Sequence, residues 1–221
     1  MENISKIQNL INKLNTTIPS NYEVIKDVFN SEYGYPELDP LRNEICECII
    51  FGLYVAAITS TNHLLEKSLK FCLSVQYSRH NKKNGANIED AFIEGIEKYD
   101  NCDLEKTINQ ACSQGLITKE QKKQLVKLKN KFRNPYSHAS TEVFEDRKVI
   151  GKVVSTKDLD DGFEKFLEKI FDSNSDVEMS LKNLPFAQGI FQHNIAKEDC
   201  LPYFQEVDII IRAMLSNLKT K

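Results

Sequence analysis

Apolar side chains recur along this chain mostly at helical spacing. Ile4, Ile7, Leu10, Ile11 and Leu14 mark one face of a helix through steps of three and four residues. A shorter helix is expected over Glu23 to Phe29, followed by NSEYGYPELDP, residues 30–40, a link rich in turn formers with two prolines. From Leu41 to about Ser78 the pattern predicts one long helix, apolar almost all round between Ile45 and Ile58. A helix with no polar face is buried on every side, so this one belongs at the centre of the core or at a dimer interface. RHNKKNGAN, residues 79–87, reads as a loop. Asn87 with Asp90 then suits the capped start of a helix reaching about Tyr99, and another helix over Leu104 to Ser113 stops before Gly115. Thr118 and Gln121 match the T-x-x-Q capping box and open a basic helix whose apolar stripe is Leu125, Leu128 and Phe132.

Pro135 cannot donate to that helix and disfavours an α conformation at Asn134, so the helix is expected to end or kink there. TEVFEDRKVIGKVVS, residues 141–155, has β-branched runs around a charged turn and suggests a small inserted β-hairpin. Phe163, Phe166, Leu167, Ile170 and Phe171 form a further helical stripe, and an irregular stretch through Leu184-Pro185 precedes a last helix opening near Pro202. On that helix Asp208 and Arg212 are four residues apart and suit a structural ion pair. No internal repeat and no Gly-rich phosphate loop is present. The expected fold is all-α: a single helical domain over residues 1–221, built on a long central helix, with the hairpin at 141–155 as decoration.

Composition changes this picture little. A chain of 221 residues, 41% apolar and 28% charged, can bury a substantial core as a globular domain. Cys46, Cys48, Cys72, Cys102, Cys112 and Cys200 fall at irregular spacings without a C-x-x-C pair, so free thiols in a reducing compartment are expected rather than disulfides or zinc. The first residues lack a continuous apolar region, and the longest apolar run, Cys48 to Ile58, is too short to span a bilayer; a cytoplasmic location without membrane association is the expectation. Net charge is −3, which argues against a general nucleic-acid coat protein. Between Lys119 and Arg133, however, seven cations face one Glu120, a local balance of 7 − 1 = +6. That run is either a solvated face or a phosphate-attracting patch.

The candidate chemistry sits where the basic helix meets the proline, in KNKFRNPYSHAS, residues 129–140. Arg133-Asn134-Pro135-Tyr136-Ser137-His138 reads R-N-x-x-x-H and resembles the signature of the HEPN superfamily (higher eukaryotes and prokaryotes nucleotide-binding), an arginine followed by a histidine after four to six residues. The motif match covers these six residues, and the helical layout around it is similar over most of the chain. The resemblance implies a bundle of HEPN type with metal-independent endoribonuclease activity, and a homodimer in which two copies of the motif form one composite site. RNA is then the substrate, and the setting implied is a toxin or antiviral defence effector with an antitoxin or other regulatory partner. No cofactor or metal is called for. Some HEPN toxins carry a tyrosine two residues after the histidine; here that position is Ser140, so adenylylation at that place is not expected.

The residue types fit that chemistry. Metal-free RNA cleavage needs a base for the 2′-OH proton, an acid for the leaving 5′-oxygen and a cation against the phosphorane. Histidine titrates near neutrality, so His138 can be base or acid, and the planar Arg133 fork matches phosphate oxygens. Asn134 either holds the phosphate, fixes the His138 tautomer or caps the helix. Tyr136 either stacks a base or is an ordinary surface tyrosine, and Lys129 and Lys131 are candidate substrate-binding cations. On the long helix Asn62, Glu66 and Lys70 share one strip, and the resemblance makes Glu66 a candidate to orient His138 or Arg133; simple surface exposure is its other reading. His63 neighbours the strip, His80 falls in the expected loop and His193 in the irregular stretch; none has metal-ligand spacing. A helical module without catalysis, binding nucleotides or partner proteins, is the competing expectation, and an inert helical scaffold a third.

Overall fold

Gly52 divides the predicted long helix in two. The structure, a computed structural model, describes residues 2–83, 87–137, 144, 148–152, 176–180 and 185–220. In it α2, Asp39–Ile50, stops where Gly52 takes φ +76°, and α3, Tyr54–Lys83, begins two residues later. The Gly52 N–H bonds the Ile49 carbonyl at 3.0 Å and the Leu53 N–H bonds the Cys48 carbonyl at 2.7 Å, the paired bonds of a Schellman stop. A side chain at Gly52 would be strained by the positive φ and would bring a Cβ within 3.1 Å of Thr17 Cγ2.

Other expected breaks are absent. The first helix, α1, runs unbroken over Glu2–Phe29 with Pro19 inside it, and α3 continues through His80 to Lys83 where a loop was expected. The last helix, α8, spans Pro185–Thr220 and carries Pro202 in its interior. An interior proline costs about 3 kcal/mol. Against that, α8 buries Ile195, Ala196, Cys200, Tyr203, Phe204 and Val207 on one continuous face, at about 1.5–3 kcal/mol for each large side chain. Burial wins, and the helix passes through the proline.

Between these lie α4, Ile88–Asp100, α5, Leu104–Ser113, and α6, Lys119–Leu128. Their ends follow the local signals: the Asn87 and Asp103 side chains accept backbone N–H groups of α4 and α5, and Gly115 with φ +69° closes α5. Helix α3 is the axis, packing against α2, α4, α5 and α8. It runs parallel to α8 and in step with it. Tyr54 meets His193 with ring centroids 5.5 Å apart, Tyr203 bonds Asn62, and Arg79 bonds the Leu218 carbonyl. The advance from Tyr54 to Arg79 (79 − 54 = 25) equals that from His193 to Leu218 (218 − 193 = 25). The core between them includes Ile58, Leu65, Leu69 and Leu73 of α3 with Phe204, Val207, Ile211 and Met214 of α8.

The described fold is thus all-α apart from one ladder. Strand β1, Lys148–Lys152, pairs antiparallel with β2, Asp176–Ser180, in the register Lys148 opposite Ser180. A strand does form within 141–155, and its described partner comes from beyond that stretch; the rest of the expected hairpin, apart from Phe144, lies outside the described residues. The stripe from Phe163 to Phe171 lies outside the described residues.

A buried ion cluster ties the 30–38 link to α8. Arg42 is fully buried; its Nε donates to Asp208 Oδ1 at 3.2 Å and another guanidinium nitrogen donates to the Val28 carbonyl. Asp208 Oδ2 accepts from Arg212 Nε at 2.7 Å, and Arg212 reaches the carbonyls of Ser31 and Glu32. Both guanidinium groups lie over the Tyr33 ring, at 5.2 and 4.9 Å. The predicted Asp208–Arg212 pair exists, with a second arginine that spacing could not reveal.

Candidate active site

The basic helix begins as its capping box requires. Thr118 Oγ1 accepts the Gln121 N–H at 3.1 Å, and Gln121 Oε1 accepts the Thr118 N–H at 2.8 Å. Ten residues later the α ladder widens into a π-helical turn, Lys129–Arg133, in which the Asn134 N–H bonds back to the Lys129 carbonyl. A last α turn, α7, Asn134–Ser137, carries the chain past Pro135. The helix therefore neither ends nor breaks at Asn134; the irregularity precedes the proline as a π turn. Proline lacks an N–H and its ring crowds the carbonyl four residues back, so a locally widened helix accommodates it where a regular one would not. Single π turns of this kind concentrate at functional sites.

Arg133 leaves this turn half-exposed, its Nη2 3.9 Å from Glu66 Oε2 on α3, with side chains 32% and 28% accessible. Glu66 Oε1 also meets Lys70 Nζ at 3.0 Å, and Lys70 donates to the Asp100 carbonyl at 2.7 Å. At that distance and exposure the Arg133–Glu66 pair contributes on the order of 0–1 kcal/mol, so it orients the guanidinium without locking it away. Of the strip of Asn62, Glu66 and Lys70, Glu66 meets the motif helix at Arg133, while Lys70 turns to α4. The third member of the strip is buried: Asn62 Oδ1 accepts the Tyr203 hydroxyl at 2.6 Å, while Asn62 Nδ2 is buried without a hydrogen-bond partner. The Tyr203 ring stacks on Phe132, centroids 4.1 Å apart and 23° from parallel. Burial pushes the Tyr203 hydroxyl well above the usual phenol range, so it remains a donor. Arg133 accordingly stands on a support that runs from Asn62 through Tyr203 to Phe132. Sequence reasoning missed that support, because Tyr203 and Asn62 are 141 residues apart.

Other expected site residues are placed differently. Lys129 Nζ lies 2.6 Å from Glu105 of α5 and is mostly covered; Lys131 Nζ lies 3.1 Å from Asp199 of α8 and over the Phe132 ring. Both candidate substrate-binding lysines thus have a carboxylate beside them, Lys131 with half of its side chain still accessible. Counting Glu66, Glu105 and Asp199 against the basic run lowers its balance to 6 − 3 = +3. Asn134 is half-buried and its Nδ2 reaches Asn130 Oδ1 at 3.5 Å; because the helix continues, it is not a terminal cap. Tyr136 is half-buried and packs against the core, which leaves little ring face for a base. His138 and Ser140 lie outside the described residues. His63 and His80 are exposed on α3, and His193 is exposed on α8 beside Tyr54 rather than in an irregular stretch.

Among the described residues no group of three or more His, Cys, Asp or Glu side chains could hold a metal ion, and no helix is long and apolar enough to cross a membrane. The six cysteines are free, Cys48 and Cys112 half-buried and the rest buried. Fold and site define an all-α domain whose basic helix, interrupted by a π turn, presents Arg133 beside Glu66. No protein-family model, curated protein or solved structure matches this chain.

Proposed function

We propose that this chain is a metal-independent RNA endonuclease, a helical bundle of the HEPN type acting in the cytoplasm as a toxin or defence effector. The observation that carries the reading is Arg133: a half-exposed guanidinium at a π turn, five residues before His138 and steered by Glu66. In the proposed reaction one His138 imidazole takes the 2′-OH proton as the 2′-oxygen attacks phosphorus. The P–O5′ bond breaks, and the 5′-oxygen takes a proton from the imidazolium of the second copy. Arg133 faces the non-bridging oxygens where charge accumulates. The products are a 2′,3′-cyclic phosphate and a 5′-hydroxyl. A homodimer supplies the two histidines, and an antitoxin or regulatory protein would hold the activity in check.

A second reading has its own observation. Glu105, Asp199 and Glu66 partly neutralise the basic run, which suits a helical module that binds nucleotides or proteins without cutting RNA. Incubation of total RNA with the protein in EDTA separates the two. Wild type is expected to leave fragments with 5′-hydroxyl ends, with Arg133→Ala and His138→Ala each slower by on the order of 100-fold or more. Untouched RNA, or equal cutting by all three proteins, removes the nuclease and leaves the binding module.

A further inference from the structure

Where α1 crosses the turn between α2 and α3, the two enclose an open cleft of about 510 Å³, within the ~300–1,000 Å³ usual for small-molecule sites. The crossing is fixed. The Asn21 side chain of α1 donates to the Ile49 carbonyl at 2.7 Å and to the Tyr54 hydroxyl at 3.1 Å, and Gly52 leaves no Cβ to push Thr17 away. The walls are apolar: Leu10 and Leu14 of α1 share the cleft with Phe51, Leu53 and Val55 of the turn. All of these but Leu14 are exposed, at 36–56% of their surface, and Ile7 and Ile11 prolong the same open stripe along α1. Lys13 is the one charged lining residue, and no carboxylate lines the cleft to pair with it. His193 of α8 adds an imidazole, its ring 5.5 Å from that of Tyr54.

We infer that this cleft binds a single-chain amphiphile with one carboxylate, a fatty-acid anion, its alkyl chain against the apolar walls and its headgroup at Lys13. Apolar walls with a few polar groups to orient the ligand are the usual make-up of such a site. Charge selects the headgroup. One ammonium with no acid beside it matches one negative charge, and the pair forms a charge-assisted hydrogen bond. The His193 imidazole can donate a second. A neutral hydrocarbon would cover Lys13 without a counter-charge, and a cationic amphiphile would be repelled by it. A polyanion such as RNA would meet a single cation among apolar side chains.

The cleft is separate from the candidate active site. Val55 and Glu66 are eleven residues apart on α3, about 16 Å along the helix. The inference goes beyond the nuclease reading and does not depend on it.

Equilibrium dialysis of the full chain against octanoate, decanoate and dodecanoate tests it. One ligand per chain is expected, bound about fourfold more tightly for each added methylene that the walls bury. Lys13→Gln should weaken dodecanoate by about fivefold or more. Dodecyltrimethylammonium, with the same chain and the opposite charge, should not bind. Leu53→Glu sets a carboxylate in the apolar wall and should weaken dodecanoate by more than about tenfold. Lys13 and Leu53 are exposed, so circular dichroism should be unchanged in both variants; if Leu53→Glu fails to fold, Leu53→Ser carries the same comparison. Ile93→Glu on the exposed face of α4 should bind as wild type does. No binding of dodecanoate at ~1 mM, an affinity that ignores chain length, equal binding of the cationic amphiphile, or an affinity unchanged by Lys13→Gln and Leu53→Glu overturns the inference. None of these readouts involves RNA, so they stand whether or not the chain cuts it.

Discussion

Tyr203→Phe isolates the hydrogen bond beneath Arg133. The substitution removes one oxygen and keeps the ring, so the stack on Phe132 remains and almost no cavity opens. What is lost is the 2.6 Å bond to Asn62 Oδ1. Asn62 is buried and its Nδ2 already has no hydrogen-bond partner, so the variant leaves the whole amide unsatisfied. A buried polar group stripped of its partner costs about 1–3 kcal/mol. Asn62→Leu makes the mirror-image error, stranding the tyrosine hydroxyl at a similar cost. Combining the two replaces both partners by apolar groups of similar shape, a change expected to be nearly neutral. The coupling energy in the double-mutant cycle is then the sum of the two single losses, on the order of 2–6 kcal/mol in favour of the pair. Urea unfolding reads this directly. With a denaturant slope of about 2–3 kcal/mol/M, each single variant lowers the midpoint by roughly 0.3–1.5 M and the double variant restores most of it. Single variants that cost under ~0.5 kcal/mol, or a double variant that costs the sum, would refute the reasoning: Asn62 would then not be what anchors Tyr203 under the π turn.

Two further outcomes follow from buried groups elsewhere. Asp208→Ala removes the carboxylate paired with the fully buried Arg42, while Arg212 can turn toward solvent. A loss of about 3–5 kcal/mol in unfolding free energy is expected, less for Asp208→Asn, and a loss under ~1 kcal/mol would show that the cluster is not a real ion pair. Burial pushes the Cys46 and Cys200 thiols up to about 11 and Cys72 up to about 12. The folded chain then keeps protons that the unfolded chain releases above ~8.5, so stability is complete below that pH and falls as pH rises toward 11–12, by up to ~1.4 kcal/mol per pH unit for each thiol. Thermal melts from pH 8 to 10.5 should show a declining midpoint, and a level one contradicts the burial. Ellman's reagent should label Cys48 and Cys112 ahead of the other four, which must wait for unfolding.

Local signals in the chain were legible because their physics is local. The Asn87 cap, the Thr118–Gln121 box, the stop at Gly115 and the Asp208–Arg212 pair each join groups within about five residues, so spacing alone specifies them. The Glu66–Lys70 pairing on α3 was readable for the same reason. Gly52 carried an equally local signal, but an apolar stretch on both sides masked it as a helix interior. Pro135 and Pro202 misled in the opposite sense. A proline is penalised by a fixed local amount, and whether a helix stops there depends on how much apolar surface lies beyond it.

Composition and periodicity by themselves determined that this chain is helical, where most of its middle helices begin, and that an arginine with a following histidine stands near a disrupted helix. Only the tertiary structure decided that α3 and α8 run side by side in step, and that Tyr203 and Asn62 form the floor under Phe132. It also decided that Lys129 and Lys131 spend their charge on Glu105 and Asp199, and that Arg42 finds Asp208 across 166 residues. Those partners are selected by burial, which brings together groups with no relation in sequence, and a buried charge or amide must take whatever complement the packing puts beside it.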